Sequence, residues 1–319
     1  MTMPPALVSV VAMFALEQSQ LDPAVGHVEH VEVNGVHLAY VEQGQGEPVV
    51  FIHGGISDLT IWQPILEPIA STYRAIAYSR RYAWPNEPIP GSVADTIAQH
   101  ATDLAELIKT LDLGPAHLVG NSFGGFISLI VARDHPELVR TLIVQEPPVV
   151  PLLLGAPPNP LGLLKLLATK PQTARALAAM FFKGMLPTQT AIKRGQLEES
   201  IEIFTRRVAL GDAGYDELPE WVKRHMRLNI GTHVSQFRNN GGFVPFTPLD
   251  ARSIRVPTLV MTGQRSPRPL KVLSKELAAL VPDCDQIEIP NASHVMHLAN
   301  TPATVEAILA FIAAPRTSS

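Results

Sequence analysis

The sequence predicts an α/β protein in which a mostly parallel central sheet is flanked by helices and interrupted by an inserted helical unit. Apolar runs of strand length alternate with amphipathic runs of helical length, which is the pattern of strand-helix-strand crossovers. The alternation stops after Glu146, where the chain becomes Pro-rich and then helical, and it resumes near residue 257. We therefore divide the chain into an N-terminal extension (1–26), a core (27–146 and 257–319) and a helical cap (147–256).

The core is predicted to begin with a β-hairpin. From His27 to Gly46 apolar and polar residues alternate around Asn34-Gly35, a pair that readily adopts the two positive φ angles of a tight hairpin turn. Further strands are predicted at PVVFIHGG, YRAIAYS, AHLVGN, TLIVQE, PTLVMTG and DQIEIPN. Helices are predicted at SVADTIAQHATDLAELIKTL, FGGFISLIVARDHPELV, PLKVLSKELAALVP and TPATVEAILAFIAA.

Composition narrows the class of protein. The 319 residues are 46% hydrophobic and 17% charged, as expected of a globular chain with a sizeable core. The net charge of -4 comes from interspersed signs without a basic block, so we expect no nucleic-acid partner. The single cysteine, Cys284, cannot form an internal disulfide, and we interpret it as a small, partly buried side chain.

The apolar stretch ALVSVVAMFAL at residues 6–16 is too short to span a bilayer and lacks the positive start of a secretory signal. We interpret it as a terminal helix or strand and expect a cytoplasmic protein with no membrane partner. Export remains the alternative.

One motif carries chemistry. In AHLVGNSFGGFISL, Gly120, Ser122 and Gly124 form a G-x-S-x-G pattern where a predicted strand gives way to a predicted helix. A nucleophile held there has a strained backbone, and the helix N-terminus favours developing negative charge. A Gly-rich turn with an incidental serine is the alternative interpretation.

Together with FIHGG and IPNASHVMH, this motif gives the chain a resemblance to capped α/β-hydrolases, similar in layout to epoxide hydrolases, haloalkane dehalogenases and carbon–carbon bond hydrolases. The resemblance runs from about residue 27 to the last helix and is weakest in the cap. It implies that Ser122 is the nucleophile, that His294 is the general base, and that the N–H groups of Gly55 and Phe123 bind the oxyanion. Epoxide hydrolases and dehalogenases place Asp at the position of Ser122 in this strand-to-helix turn, the nucleophile elbow, so a serine there favours acyl transfer.

The third member of the triad is missing from its commonest position. The loop after TLVMTG, residues 264–267, contains no carboxylate. Glu146 ends the strand TLIVQE, a position at which certain dehalogenases and zearalenone lactonases carry their acid. Since parallel strands end at the same edge of a sheet, we predict Glu146 as the orienting carboxylate. A solvated Glu146, a dyad with no acid, and then Asp283 or Asp285 are the alternatives.

Other candidates keep two interpretations each. Arg81 is either a structural staple or a clamp for a substrate carboxylate, and Trp84 either lines the pocket or packs in the core. His53 is interpreted as fixing its loop. His294 and His297 have the spacing of a metal pair, but no further ligands lie near them in sequence, so we expect no metal and no cofactor.

These observations predict a serine hydrolase that cleaves a carboxylic ester or lactone of a small apolar substrate through an acyl-enzyme. A carbon–carbon bond hydrolase acting on a vinylogous diketone is the rival enzyme, and a ligand-binding protein on a hydrolase scaffold is the rival from another class. We expect a small-molecule substrate as the partner, and a homodimer is compatible with the sequence.

Overall fold

The computed structural model describes residues 26–90, 93, 95–156, 159–238 and 242–314. The apolar stretch at residues 6–16, predicted as a terminal helix or strand, lies outside the described residues. Within the described part of the chain, no helix has both the length and the apolar character needed to cross a membrane.

A single eight-stranded sheet forms the centre of the described structure, with the strand order β1-β2-β4-β3-β5-β6-β7-β8. The first two strands run antiparallel to their neighbours, and the remaining pairs are parallel. The strands are β1 (Glu29–Val33), β2 (Val36–Gln43), β3 (Pro48–Ile52), β4 (Arg74–Tyr78), β5 (Ala116–Asn121), β6 (Val139–Gln145), β7 (Thr258–Gly263) and β8 (Cys284–Ile289). The predicted α/β class with a mostly parallel sheet is confirmed.

The opening hairpin has the predicted turn. Val33 pairs with Val36, and the two residues between them, Asn34 and Gly35, have φ angles of 48° and 74°. Two consecutive positive φ angles match the right-handed twist of the strands that flank such a turn.

Helices cover the sheet on both faces. Those of the core are α1 (Gln63–Ala70), α2 (Ile97–Thr110), α3 (Phe123–Asp134), α13 (Arg268–Ala278), α14 (Met296–Ala299) and α15 (Thr301–Ala313). The α1 helix was not predicted; it carries Pro64 in its first turn, where proline is tolerated, and Pro68 in its interior. The α2 helix begins at Ile97, later than predicted, where the Thr96 side chain accepts a hydrogen bond from the Gln99 N–H and caps the first turn.

The segment between β6 and β7 is helical in its described part. Its helices are α4 (Pro151–Leu154), α5 (Pro160–Thr169), α6 (Pro171–Met180), α7 (Leu186–Lys193), α8 (Leu197–Phe204), α9 (Gly211–Asp216), α10 (Glu220–Leu228), α11 (Ile230–Arg238) and α12 (Pro248–Ser253). Two π-helical turns, Phe181–Met185 and Thr205–Ala209, join α6 to α7 and α8 to α9. We call this segment the cap, as in the sequence-based division.

The central parallel strands are buried on both faces, as their continuous apolar runs require. The register pairs Ile52 with Gly120 and Asn121 with Gln145, so β3, β5 and β6 end at one edge of the sheet. The residues that immediately follow these strands therefore meet at that edge.

Candidate active site

Ser122 lies between the last residue of β5 and the first residue of α3. Its φ and ψ angles of 51° and -118° are strained for a residue with a side chain. The glycines around it are required by close packing. A Cβ at Gly120 would lie 2.6 Å from the Gly124 carbonyl oxygen, and a Cβ at Gly124 would lie 2.1 Å from that of Ile52. The sequence thus folds into a tight elbow that presents the serine at the sheet edge.

Glu146 follows β6 in the same way, with a φ angle of 49° and a fully buried side chain. Its Oε2 lies 2.7 Å from Nδ1 of His294, and its Oε1 accepts a hydrogen bond from the Gly263 N–H at 3.0 Å. Because a carboxylate oxygen can only accept here, Nδ1 of His294 carries the proton and Nε2 is left free to accept one.

His294 is held in place by the elbow itself. Its backbone carbonyl accepts a hydrogen bond from Nδ2 of Asn121 at 3.0 Å, and its side chain is buried. His294 and Ser122 line the same cavity of about 70 Å³ between the sheet edge and the cap. The structure therefore brings Ser122, His294 and Glu146 to one place, although they are far apart in sequence.

The cavity is lined chiefly by apolar side chains. Ser57 and Thr205 supply hydroxyl groups, and His294 is the one ionisable side chain among the described lining residues. The apolar lining comes from the loop after β3, from the loop after β8 and from the cap: Ile56, Ile61, Phe204, Ala209, Leu210, Leu218, Val222, Met226 and Val295. Such a lining suits an uncharged, apolar ligand.

The predicted oxyanion donors lie close to Ser122. Gly55 lines the cavity, and Phe123 is the first residue of α3, where a backbone N–H has no acceptor within the helix. Nη2 of Arg80 donates to the carbonyl oxygens of Gly54 at 2.9 Å and of Gly55 at 3.3 Å. Because the carbonyl and N–H of one trans peptide point in opposite directions, anchoring the Gly54 oxygen also fixes the direction of the Gly55 N–H.

Arg80 belongs to a buried polar network that the sequence did not reveal. Its Nη1 lies 2.9 Å from Nε2 of His100, which in turn contacts Asp95, and Asp95 accepts a hydrogen bond from Gln236 of the cap at 2.9 Å. Burial and Arg80 lower the pKa of His100 against the opposing effect of Asp95. Burial acts to raise the pKa of Asp95, but His100 and Arg80 hold it below its usual value. The network joins the oxyanion loop (residues 53–57) to α11 of the cap.

His53 stabilises the same loop. Its Nδ1 donates to the Gly54 carbonyl at 2.9 Å, and its Nε2 accepts from the Arg80 N–H at 2.9 Å. Burial, and next the charge of Arg80, hold the pKa of His53 well below its usual value. A neutral imidazole with both nitrogens engaged fixes the loop.

Arg81 and Trp84, the two predicted substrate-binding residues, do not line the cavity. The Arg81 guanidinium donates to both carboxylate oxygens of Asp103 at 2.7 Å, which ties the loop after β4 to α2. The Trp84 ring packs edge-on against His225 with a centroid distance of 4.8 Å. Both side chains are buried, so of the two interpretations given for each residue the structure supports the packing one, and neither side chain is placed to bind a substrate in this cavity.

A second buried histidine–carboxylate pair anchors the cap to the oxyanion loop. Oδ2 of Asp58 lies 2.8 Å from Nδ1 of His225 and accepts from Nδ2 of Asn229 at 2.7 Å. Asp58 comes directly after the oxyanion loop, whereas the other two residues lie in the cap, His225 in α10 and Asn229 directly after it. No spacing in the sequence pointed to this contact.

His297 does not join His294 in a shared site. Its Nδ1 lies 3.0 Å from Oε1 of Gln145, its ring packs on Trp62, and burial, with the nearby His294, lowers its pKa to about 3. Across the described residues, no group of three or more His, Cys, Asp or Glu side chains is arranged to hold a metal ion. The Cys284 thiol has a pKa raised to about 12 by burial and by its two neighbouring aspartates, which makes it a poor nucleophile.

Comparison with known proteins identifies the family. A serine elbow after a central parallel strand, a buried histidine–carboxylate pair and a helical insertion define a protein of the α/β-hydrolase type. A family model described as alpha/beta hydrolase fold matches residues 47–301, so the chain belongs to that family.

Individual proteins that resemble this chain share only a modest fraction of its residues. The chain is 28% identical to a protein named putative non-heme bromoperoxidase BpoC from Mycobacterium tuberculosis (strain CDC 1551 / Oshkosh), over 87% of this chain and 98% of that protein. It is similar in fold to a thermophilic esterase from Thermogutta terrifontis, with a TM-score of 0.69, 20% identity, and 90% and 98% of the two chains covered. It is also similar in fold to Est816, described as an N-acyl homoserine lactone degrading enzyme, with a TM-score of 0.64, 23% identity, and 89% and 100% covered.

Proposed function

We propose that this protein is a serine hydrolase that cleaves a carboxylic ester or lactone of a small apolar substrate through an acyl-enzyme intermediate. Ser122 is the nucleophile, His294 the general base and acid, and Glu146 the carboxylate that orients His294. The N–H groups of Gly55 and Phe123 stabilise the oxyanion. The observation that carries the proposal is the buried 2.7 Å contact of Glu146 with His294, whose side chain lines the same cavity as the strained Ser122.

In the proposed reaction, Oγ of Ser122 attacks the substrate carbonyl while Nε2 of His294 takes the serine proton. The tetrahedral oxyanion is held by the two backbone N–H groups. The protonated His294, stabilised by Glu146, then gives its proton to the leaving alkoxide, and the C–O bond breaks. A water molecule, deprotonated by His294, hydrolyses the acyl-enzyme by the same route and releases the carboxylic acid.

The substrate class follows from the cavity. The described lining residues include no Lys or Arg, so the site has no permanently cationic partner for a substrate carboxylate, and its apolar walls favour uncharged alkyl groups. The esterase and the lactone-degrading enzyme among the structural neighbours agree with this bond class, but at 20% and 23% identity they support the fold alone.

A fluorophosphonate probe tests the nucleophile. We expect stable labelling of the wild type, seen as a mass increase on the peptide that contains Ser122, and no labelling of Ser122→Ala. We expect that variant to fold as the wild type does, because the substitution removes only the hydroxyl group and retains the β-carbon; circular dichroism would check this. Failure of the folded wild type to react would favour the ligand-binding alternative.

Parallel assays with short-chain p-nitrophenyl esters, small lactones and a ring-fission diketone separate the enzyme classes. Turnover of esters or lactones with no turnover of the diketone supports the proposal. The reverse result would assign the protein to the carbon–carbon bond hydrolases instead.

A further inference from the structure

Most of the large apolar side chains that are exposed, among the described residues, lie in one segment of the cap. Leu161, Leu164 and Phe182 are 78%, 61% and 65% exposed. Four other large apolar side chains in the same segment are also exposed: Leu163, Leu167, Phe181 and Leu186. Among the described residues only Leu249 and Ile287 are comparable elsewhere, so this segment has no apolar partner within the fold.

These residues lie on consecutive, mutually packed elements. Helix α5 packs on α6, and the π-helical turn after α6 contacts both α6 and α7. In α5 only Leu166 is buried among the described side chains. We call the exposed surface of residues 161–194 the outer cap face.

The outer cap face does not belong to the substrate cavity. None of the described residues that line the cavity lies between 161 and 194, because the cap contributes to the cavity only from Phe204 onward. The exposed leucines and phenylalanines are therefore not explained by substrate binding.

The charge of this segment is one-sided. From residue 147 to residue 197 the sequence contains no Asp or Glu, although the whole chain has a net charge of -4. The segment carries six basic residues: Lys165, Lys170, Arg175, Lys183, Lys193 and Arg194. All six are exposed, and among the described residues only Lys170 pairs with a carboxylate, that of Glu276.

We propose that the outer cap face docks on an anionic lipid surface, with its leucines and phenylalanines in the headgroup region and its unpaired cations on the lipid phosphates. Apolar side chains interspersed with Lys and Arg, without acidic residues, are typical of elements that lie in a membrane interface. A second copy of this chain fits this face poorly, because a symmetric contact would bring two cationic segments together.

From the sequence we expected no membrane partner, because no segment is long enough to span a bilayer; docking on the surface requires no such segment. It would also bring the cap to a source of apolar substrates. The docking itself is independent of the proposed chemistry and is tested without substrate.

Co-sedimentation with vesicles is the first test. We expect the full-length protein to bind vesicles of two parts phosphatidylcholine to one part phosphatidylglycerol at low salt, and to be released at about 0.5 M salt, where surface charges are screened. Vesicles of phosphatidylcholine alone should bind it at least tenfold more weakly. Ser122→Ala should bind as tightly as the wild type.

Two sets of variants separate charge from apolar insertion. Lys165→Gln with Lys183→Gln should weaken binding by about 25-fold, or about fivefold for each cation removed. Leu161→Gln with Leu164→Gln and Phe182→Gln should weaken it by at least tenfold, since buried apolar area is lost. Glutamine keeps helix propensity, and thermal unfolding verifies that the variants are folded.

Matched substitutions elsewhere control for total charge and hydrophobicity. Lys109→Gln with Arg252→Gln removes two exposed cations that lie outside the outer cap face, one in the core and one in α12 of the cap, and Leu249→Gln removes a 75% exposed leucine that also lies outside it. These variants should bind like the wild type.

Three results would overturn the proposal. One is the absence of binding to anionic vesicles at low salt. The second is wild-type binding by both cap variants, which would place the membrane contact elsewhere in the chain. The third is a concentration-dependent dimer in sedimentation velocity that Leu164→Gln dissociates, which would make the outer cap face a contact between two copies.

Discussion

Glu146→Gln removes one negative charge from the buried carboxylate while keeping its shape, and the surroundings of Glu146 prevent glutamine from replacing it. The carboxylate accepts two hydrogen bonds, one from Nδ1 of His294 and one from the Gly263 N–H. A glutamine side chain has one oxygen and one NH₂ group, so it can accept only one of the two.

Each orientation of the glutamine carries a cost. If its oxygen keeps the bond from Gly263, the NH₂ group faces Nδ1 of His294 and selects the tautomer with the proton on Nε2, which cannot accept the proton of Ser122. If its oxygen keeps the bond from His294, two buried donors face each other at Gly263, at a cost of about 1–3 kcal/mol, and the imidazolium still lacks its counter-charge. The comparable Asp→Asn change in a serine protease lowers kcat by about 10⁴, equivalent to about 5.5 kcal/mol of activation free energy.

We therefore expect kcat on a chromogenic short-chain ester to fall by about 10³–10⁴ in Glu146→Gln, with KM changed by less than about threefold. Asp285→Asn is the matched control, because Asp285 lies near the start of β8, at the opposite edge of the sheet, and should leave kcat unchanged. A loss smaller than about tenfold in a folded Glu146→Gln protein would refute the assignment of the acid.

Three further predictions address positioning, stability and specificity. Arg80→Lys cannot hold both carbonyls of the oxyanion loop, so kcat should fall tenfold to a hundredfold with a smaller change in KM. The control, Arg81→Lys, should lower the melting temperature and keep kcat within twofold of the wild type. Equal kcat values for the two variants would contradict the positioning role of Arg80. Burial lowers the pKa of His297 from 6.5 to about 3 in the folded protein, so as the pH falls the unfolded chain takes up a proton on this histidine before the folded protein does. The free energy of unfolding should therefore fall as the pH drops below about 6.5, by up to about 1.4 kcal/mol per pH unit. His297→Phe should lack that share of the decline in urea titrations at several pH values, and identical slopes would refute it. Met226→Ala enlarges the apolar cavity and should raise kcat/KM for longer acyl chains relative to shorter ones by about fourfold per added methylene, measured over a series of p-nitrophenyl esters; an unchanged preference would show that the acyl group lies elsewhere.

The sequence predicted the elements that depend on local patterns. The hairpin at Asn34-Gly35, the buried parallel strands and the elbow at Ser122 each follow from periodicity or from residues with special backbone freedom. The convergence of Glu146 with the elbow also followed, because parallel strands must end at a common edge. All of these features depend either on residues close together in the sequence or on the common edge at which parallel strands end.

Contacts that depend on long-range packing were not predictable. The Asp58–His225 pair joins residues 167 positions apart, and Arg80 reaches the oxyanion loop through a side chain whose direction no pattern specifies. The sequence was equally uninformative about Arg81, because no local pattern indicates that its partner Asp103, in the N-terminal half of α2, is buried.

The position of Glu146, the proposed acid, has a structural cause at the end of β7. A side chain on Gly263 would lie 2.6 Å from the carbonyl oxygens of Ala292 and Ser293, because the loop that carries His294 is pressed against the strand. The next side chain, Gln264, accepts a hydrogen bond from the Asn291 N–H and so holds that loop instead of the imidazole. The loop that carries His294 thus occupies the space beside the end of β7. The carboxylate that contacts His294 comes instead from Glu146, at the end of the neighbouring strand β6, and the Gly263 N–H is its second hydrogen-bond donor. A substitution such as Gly263→Ala should displace the His294 loop and lower kcat even though Glu146, His294 and Ser122 all remain, which steady-state kinetics together with thermal unfolding would measure; unchanged kcat in the folded variant would contradict this account.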